Sequence, residues 1–291
     1  RVHENYDGGE IELEGGKVLS PKDYPELGEY EGDTLITSDG TTLLGADDKA
    51  GIAEILTALR WLLQHPDYPH GELEFIFTPD EETGKGMNLF PVDSLHSKYC
   101  YTMDGGKRGV IEGECFNAYV ARIRFIGSVI HLGHARGKLV NAVTMAASFI
   151  SMLPQAESPE ATDGRYGYFA PFEIKGGLDE AELEVYLRDF ENEGMDRRLS
   201  ALHSIAEAVE AAFPGGKVKV DSKRMYSNMR EHTDKEPRVM NLLDRAVRAA
   251  GVEPVHTIIR GGTDGARLSE MGIPTPNVFN GGHNFHSRHE W

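Results

Sequence analysis

A chain of 291 residues, 40% of them hydrophobic, can bury a real core as one large domain or two ordinary ones. Its 47 acidic and 30 basic residues leave a formal charge of -17, which argues against a phosphate-binding groove, because such grooves need surplus Lys and Arg. No apolar run reaches the ~18 residues of a membrane-crossing helix, and two cysteines, Cys100 and Cys115, are too few for a disulfide framework and suit a reducing cytoplasm.

Residues 1–40 are rich in glycine and charge and read as loops and short strands. From Asp48, the spacing of Ile52, Ile55, Leu56, Leu59, Leu62 and Leu63 predicts an amphipathic helix to about Gln64. Strands follow at 71–78 (GELEFIFT) and 98–103 (KYCYTM), the second running into Asp104-Gly105-Gly106. In AYVARIRF, 118–125, Tyr119, Ala121, Ile123 and Phe125 alternate onto one face; an exposed edge on this strand would suit pairing with a second copy of the chain. A helix over 139–153, a hairpin from 166–174 and 181–190, a helix over 191–212 and a strand at 217–223 complete a β-α-β-β-α-β order. A helix at 237–251, capped by Gly251, and the strands VHTIIR and PNVF around a short helix, DGARLSEMG, resume α/β alternation. The prediction is an α/β fold. Residues 1–114 and 232–291 form one domain, and 115–231 form a separate domain inserted in it.

Four stretches place carboxylates or imidazoles where α/β folds build sites. LLGADDKAG puts Asp47 and Asp48 at the opening of the long helix. One such acid is explained as a cap in the favourable end of the helix dipole; a pair leaves the other to face a cleft. FTPDEETGKG sets Asp80, Glu81 and Glu82 side by side. Unit charges ~4 Å apart repel by roughly 4 kcal/mol at an effective dielectric of ~20, so the stretch is either a solvated turn or a place where a dication neutralises it. Asp104 in YTMDGG is either an Asp-Gly turn or a strand-end ligand. GGHNFHSRHEW carries His283, His286 and His289 at spacing three, which are structural, exposed, or imidazoles suited to zinc. Carboxylates plus imidazole without paired thiols are the donor set of an open catalytic divalent site, and two ions bridged by an Asp would need this many acids.

TTLLGADDKAGIAEILTAL, FTPDEETGKG, YTMDGG, RGGTDGARLSEMGIPTPNVFNGG and NFHSRHE, in this order and over nearly the whole chain, closely resemble the aminoacylase/carboxypeptidase-type family of dinuclear zinc metallopeptidases, and within it the tripeptide aminopeptidases. The resemblance implies a zinc-peptidase catalytic domain with an inserted ferredoxin-like lid and dimerisation domain, hinged near 115 and 231. It implies tripeptide substrates, a cytoplasmic homodimer and two Zn2+ per full-length subunit. Asp47 is then the carboxylate bridging both metals, Glu81 the general base, Glu82 and His286 ligands of one metal, and Asp104 a ligand of the other. His131 in IGSVIHLGHARGK resembles the lid histidine that steadies the oxyanion, although Leu132 stands where the family has proline. Arg260 of RGGTDG and Asn228 of YSNMRE resemble substrate-holding residues. The family's N-terminal His-x-Asp motif has no counterpart before Asp47, and its final helix none after HEW. The chain is therefore expected to be a fragment with one incomplete zinc site, holding about one zinc tightly and hydrolysing tripeptides poorly. The competing readings are a related dipeptidase or aminoacylase, and a non-catalytic binding or assembly homologue.

Overall fold

The computed structural model describes residues 1–291. In chain order its main elements are α1 (Ala46–Gln64), β1 (Thr102–Gly105), β2 (Val110–Cys115), β3 (Asn117–Ile126), α2 (Ala142–Met152), β4 (Tyr168–Gly176) and β5 (Glu180–Asp189). They continue with α3 (Asn192–Ala212), β6 (Lys217–Tyr226), α4 (Arg238–Ala249), β7 (Val255–Ile259), α5 (Asp264–Glu270) and β8 (Asn277–Phe279). The chain forms two compact units. One comprises Arg1–Gly113, His232–Thr257 and Thr263–Trp291; the other comprises Glu114–Glu231 and also takes in Ile258–Gly262.

In the first unit, β8 lies inside a four-stranded sheet ordered β7-β2-β8-β1, parallel to β1 and antiparallel to β2. α4 covers it because Val239, Leu243 and Val247 recur every fourth residue on one face; Leu243 and Val247 meet Ile111 and Val278 in the core. A second small core gathers Tyr6, Leu19, Leu27, Leu35 and Trp291. Residues 71–78, expected as a strand, join no ladder: no strand occurs between α1 and β1. Leu73, Phe75 and Phe77 still alternate, but they are 49%, 38% and 49% exposed. Alternation alone does not make a strand. A strand needs backbone partners, and 71–78 make no backbone–backbone hydrogen bonds.

The second unit runs β3-α2-β4-β5-α3-β6, with an antiparallel sheet ordered β6-β3-β5-β4, the ferredoxin-like arrangement. Ala121, Ile123 and Phe125 of β3 are fully buried against Met145 and Phe149 of α2 and Leu202 and Val209 of α3. The edge expected on this strand is not there. β3 is paired on both sides, Phe125 opposite Val218 of β6 and Ala181 of β5, and the free edges belong to β6 and β4. One buried face is equally what an inner strand needs when helices cover a single side of its sheet. No helix in either unit is long and apolar enough to cross a membrane.

Candidate active site

Gly51 lets α1 lie close to β1. A Cβ there would come 2.0 Å from the Met103 carbonyl oxygen and 2.6 Å from Asp48 Oδ1. Gly51→Ala is expected to cost about 1–3 kcal/mol by overpacking, read as a lower thermal midpoint. The same close approach sets the carboxyls at the start of α1 beside Asp104 of β1. The two adjacent acids divide their work. Asp48 Oδ1 accepts from the Gly51 amide at 3.2 Å and from Asn280 Nδ2 at 3.2 Å, tying down the first turn. Asp47 faces His286 instead, with Oδ2 2.8 Å from Nε2. Glu82 Oε1 lies 3.3 Å from the same nitrogen.

Glu81 and Glu82 sit in a short 3-10 turn, Glu81–Thr83, entered through Asp80 at φ 63. The Lys85 amide closes the turn onto the Asp80 carbonyl at 3.0 Å. Asp47, Glu82 and His286 each offer a ligand atom within 4.8 Å of the others. Two carboxylates and an imidazole fit a divalent cation of the catalytic type, which keeps a coordination position open.

The electrostatics fit the same group. Burial, followed by the charges of Asp264, Glu82, Asp47 and Asp48, pushes the Glu81 carboxyl up to about 7. Burial pushes Asp48 up to about 6. Asp104 is raised by burial, by the charges of Asp48, Asp47 and Glu81, and by a hydrogen bond with Asp47. His286 is raised by its bond to Asp47 and the charge of Glu82. These carboxyls crowd one another, and positive charge relieves them.

The other three expected site residues lie in the second unit. His131 is exposed and its Nδ1 accepts from the Gly133 amide at 3.1 Å, so in the neutral ring Nε2 carries the proton and is a donor. Arg260 spends its guanidinium on backbone: Nη1 donates to the carbonyls of Gly164 at 2.7 Å and Tyr166 at 2.9 Å, and Nη2 to that of Thr162 at 3.1 Å. Its charge lies over the Phe116 ring at 5.1 Å. Asn228 is 2% exposed, and its amide is saturated. Oδ1 accepts from the amides of Cys115 and Arg230, and Nδ2 donates to Glu114 and the Phe190 carbonyl. An amide has two donors and two acceptor sites, so nothing is left for a ligand, and we read Asn228 as a bolt of the fold. Asn228→Ala is expected to destabilise by about 2–4 kcal/mol, because buried partners lose their bonds, while KM of the folded fraction stays unchanged.

Sequence reasoning passed over several residues. Asn277 is buried at 3% exposure, and its Oδ1 accepts from the Asp104 amide at 3.3 Å. Asn280 steadies Asp48 by donating from Nδ2 to Oδ1. Asp264, at the start of α5, accepts from Thr78 Oγ1 at 2.7 Å and faces Glu81. The available signal was the asparagines set in and just after the apolar strand β8; an Asp at a helix start, as Asp264 is, is ordinary. Of the three histidines, His283 bonds to the Tyr30 hydroxyl at 2.7 Å and His289 lies against Tyr24; His286 is the one that joins the carboxylates.

Comparison with known proteins identifies the family. Residues 39–291 match the peptidase family M20/M25/M40. The chain is 46% identical over 291 residues to a peptidase T of Clostridium perfringens, covering all of this chain and 72% of that protein. Two crystal structures are similar over 87% of this chain and 68% of theirs. One is a tripeptidase from Staphylococcus aureus, with TM-score 0.75 and 25% identity. The other is the aminopeptidase PepT from Bacillus cereus, with TM-score 0.74 and 30% identity.

Proposed function

This chain belongs to the peptidase family M20/M25/M40, and from that premise we propose that it is a metal-dependent aminopeptidase releasing the N-terminal residue of tripeptides. The observation that carries this reading is the convergence of Asp47, Glu82 and His286 next to Glu81, which shares the short turn Glu81–Thr83 with Glu82.

We assign Asp47, Glu82 and His286 to one divalent ion, and Asp47 with Asp104 to a second; carboxylate and imidazole donors suit zinc. When bound, such ions polarise the scissile carbonyl and make water acidic enough to attack at neutral pH. The chain's own residues do the rest. Glu81 takes the proton of the attacking water as the C–O bond forms. It delivers that proton to the leaving amine as the C–N bond breaks, so the base ends unprotonated and ready for another turn. Asp48 and Asn280 hold the start of α1 still while this happens. The resemblance assigns His131 to the oxyanion and Arg260 to the substrate; a donor at His131 Nε2 suits the first role.

The inserted unit is assigned the roles of lid and dimerisation surface, and the protein a place in the cytoplasm, where free Cys100 and Cys115 persist. Light scattering that reports only a 32.2 kDa species at micromolar concentration contradicts the dimer. The activity is tested by offering zinc-loaded protein tripeptides, dipeptides and N-acyl amino acids. Release of the first residue from tripeptides in preference to the others is expected. A preference for dipeptides or N-acyl amino acids moves the protein to a sister activity, and no turnover of any of them removes the enzymatic reading.

A further inference from the structure

We propose that Glu290 is a positioning residue for the cation-binding group: it fixes the loop that carries His286 to the residue that carries Asp47. The inference rests on the reading of Asp47 and His286 as ligands of a divalent ion.

Glu290 is 2% exposed. Its carboxylate bonds to two backbone donors at the start of α1. Oε2 accepts from the Gly45 amide at 2.7 Å, and Oε1 accepts from the Asp47 amide at 3.3 Å. The first amides of a helix have no partner within it, and Gly45, the N-cap residue at φ 66, supplies no side chain to satisfy them. Glu290 fills that need from the far end of the chain, and one of the two amides it holds belongs to a proposed ligand.

The other end of the connection is equally well fixed. Residues 283–291 close on themselves. The His283 amide donates to the Trp291 carbonyl at 2.8 Å, and the Trp291 amide returns the bond to His283 at 3.2 Å. The two rings stack 4.1 Å apart and 2° from parallel. Inside the loop, Asn284 Nδ2 donates to the His289 carbonyl at 3.0 Å. His286 sits within it at φ 60, a backbone region that residues other than glycine adopt when their surroundings hold them there. The loop is thus a clip with His286 on it, and Glu290 is where the clip fastens to α1. The fastening keeps His286 Nε2 and Asp47 Oδ2 at 2.8 Å although 239 residues separate them in sequence. Groups that orient ligands in this way are half of what makes a metal site.

The test uses two substitutions with different chemistry. Glu290→Gln keeps size but turns one acceptor into a donor facing a backbone N–H. Glu290→Asp keeps both acceptors on a stem shorter by one methylene. Metal-free wild type, both variants and His286→Ala are titrated with Co2+, read by the visible ligand-field bands and by competition with a chelating dye, with circular dichroism to check folding. Glu290→Gln is expected to stay folded, to bind Co2+ about 10–100-fold more weakly, as loss of an outer partner does, and to shift the bands; Glu290→Asp is expected to lie between it and wild type. A folded Glu290→Gln protein with wild-type affinity and bands overturns the proposal. So does a failure of both variants to fold, which makes Glu290 a stability residue alone. If His286→Ala binds Co2+ like wild type, the ligand reading itself falls. If His286→Ala is weakened and Glu290→Gln is not, only the role of Glu290 falls.

Discussion

Glu81→Gln should hold its metal and lose its turnover. The substitution keeps the shape of the turn Glu81–Thr83 and leaves Asp47, Glu82 and His286 untouched, so metal content by mass spectrometry after dialysis should equal that of wild type. The amide cannot take a proton from water. A lone acid–base group contributes about 10²–10⁴ in rate, and the loss here should exceed that range, because the carboxylate also orients the water. In the metal-free protein, burial and the charges of Asp264, Glu82, Asp47 and Asp48 raise the Glu81 carboxyl. A variant within about tenfold of wild type in kcat would show that another group takes the proton.

Asp47→Ala should fail in the opposite manner, through the metal. Asp47 meets His286 through Oδ2, and its carboxyl is among the groups that raise Asp104. Its loss should weaken divalent-ion binding by more than the ~10–100-fold of an outer partner and take peptide turnover down with it. The fold should survive, because Asp48 rather than Asp47 bonds back onto the first turn of α1. Dialysed Asp47→Ala protein with wild-type metal content would place the ligands elsewhere.

The parts of this molecule that could be read from its sequence are those whose cost or pattern is local. Adjacent acids are expensive wherever they stand, so Asp47–Asp48 and Glu81–Glu82 were conspicuous before any fold was known. The order of the second unit was legible because its strands alternate and its helices repeat at three and four. What could not be read depends on neighbours. The alternation in 71–78 promised a strand, but a strand exists only beside another. The apolar face of β3 was visible, but not that β6 and β5 occupy both its edges. The motif around Asn228 could be matched, yet the match could not show that all four hydrogen-bonding positions of its amide are taken. Glu290 carried no signal because its partner, Gly45, lies 245 residues away.

The stretch 71–77 has a practical consequence for handling the protein. Leu73, Phe75 and Phe77 stand exposed in a stretch that joins no ladder, and exposed apolar side chains grouped in this way favour association. Glu72 and Glu74 punctuate that run and act as its charged gatekeepers. Both are tied to His96, and Glu74 also to Ser97. Acidic or high-salt buffers, which neutralise or screen these two carboxylates, are therefore the conditions to avoid in concentrating and storing the protein.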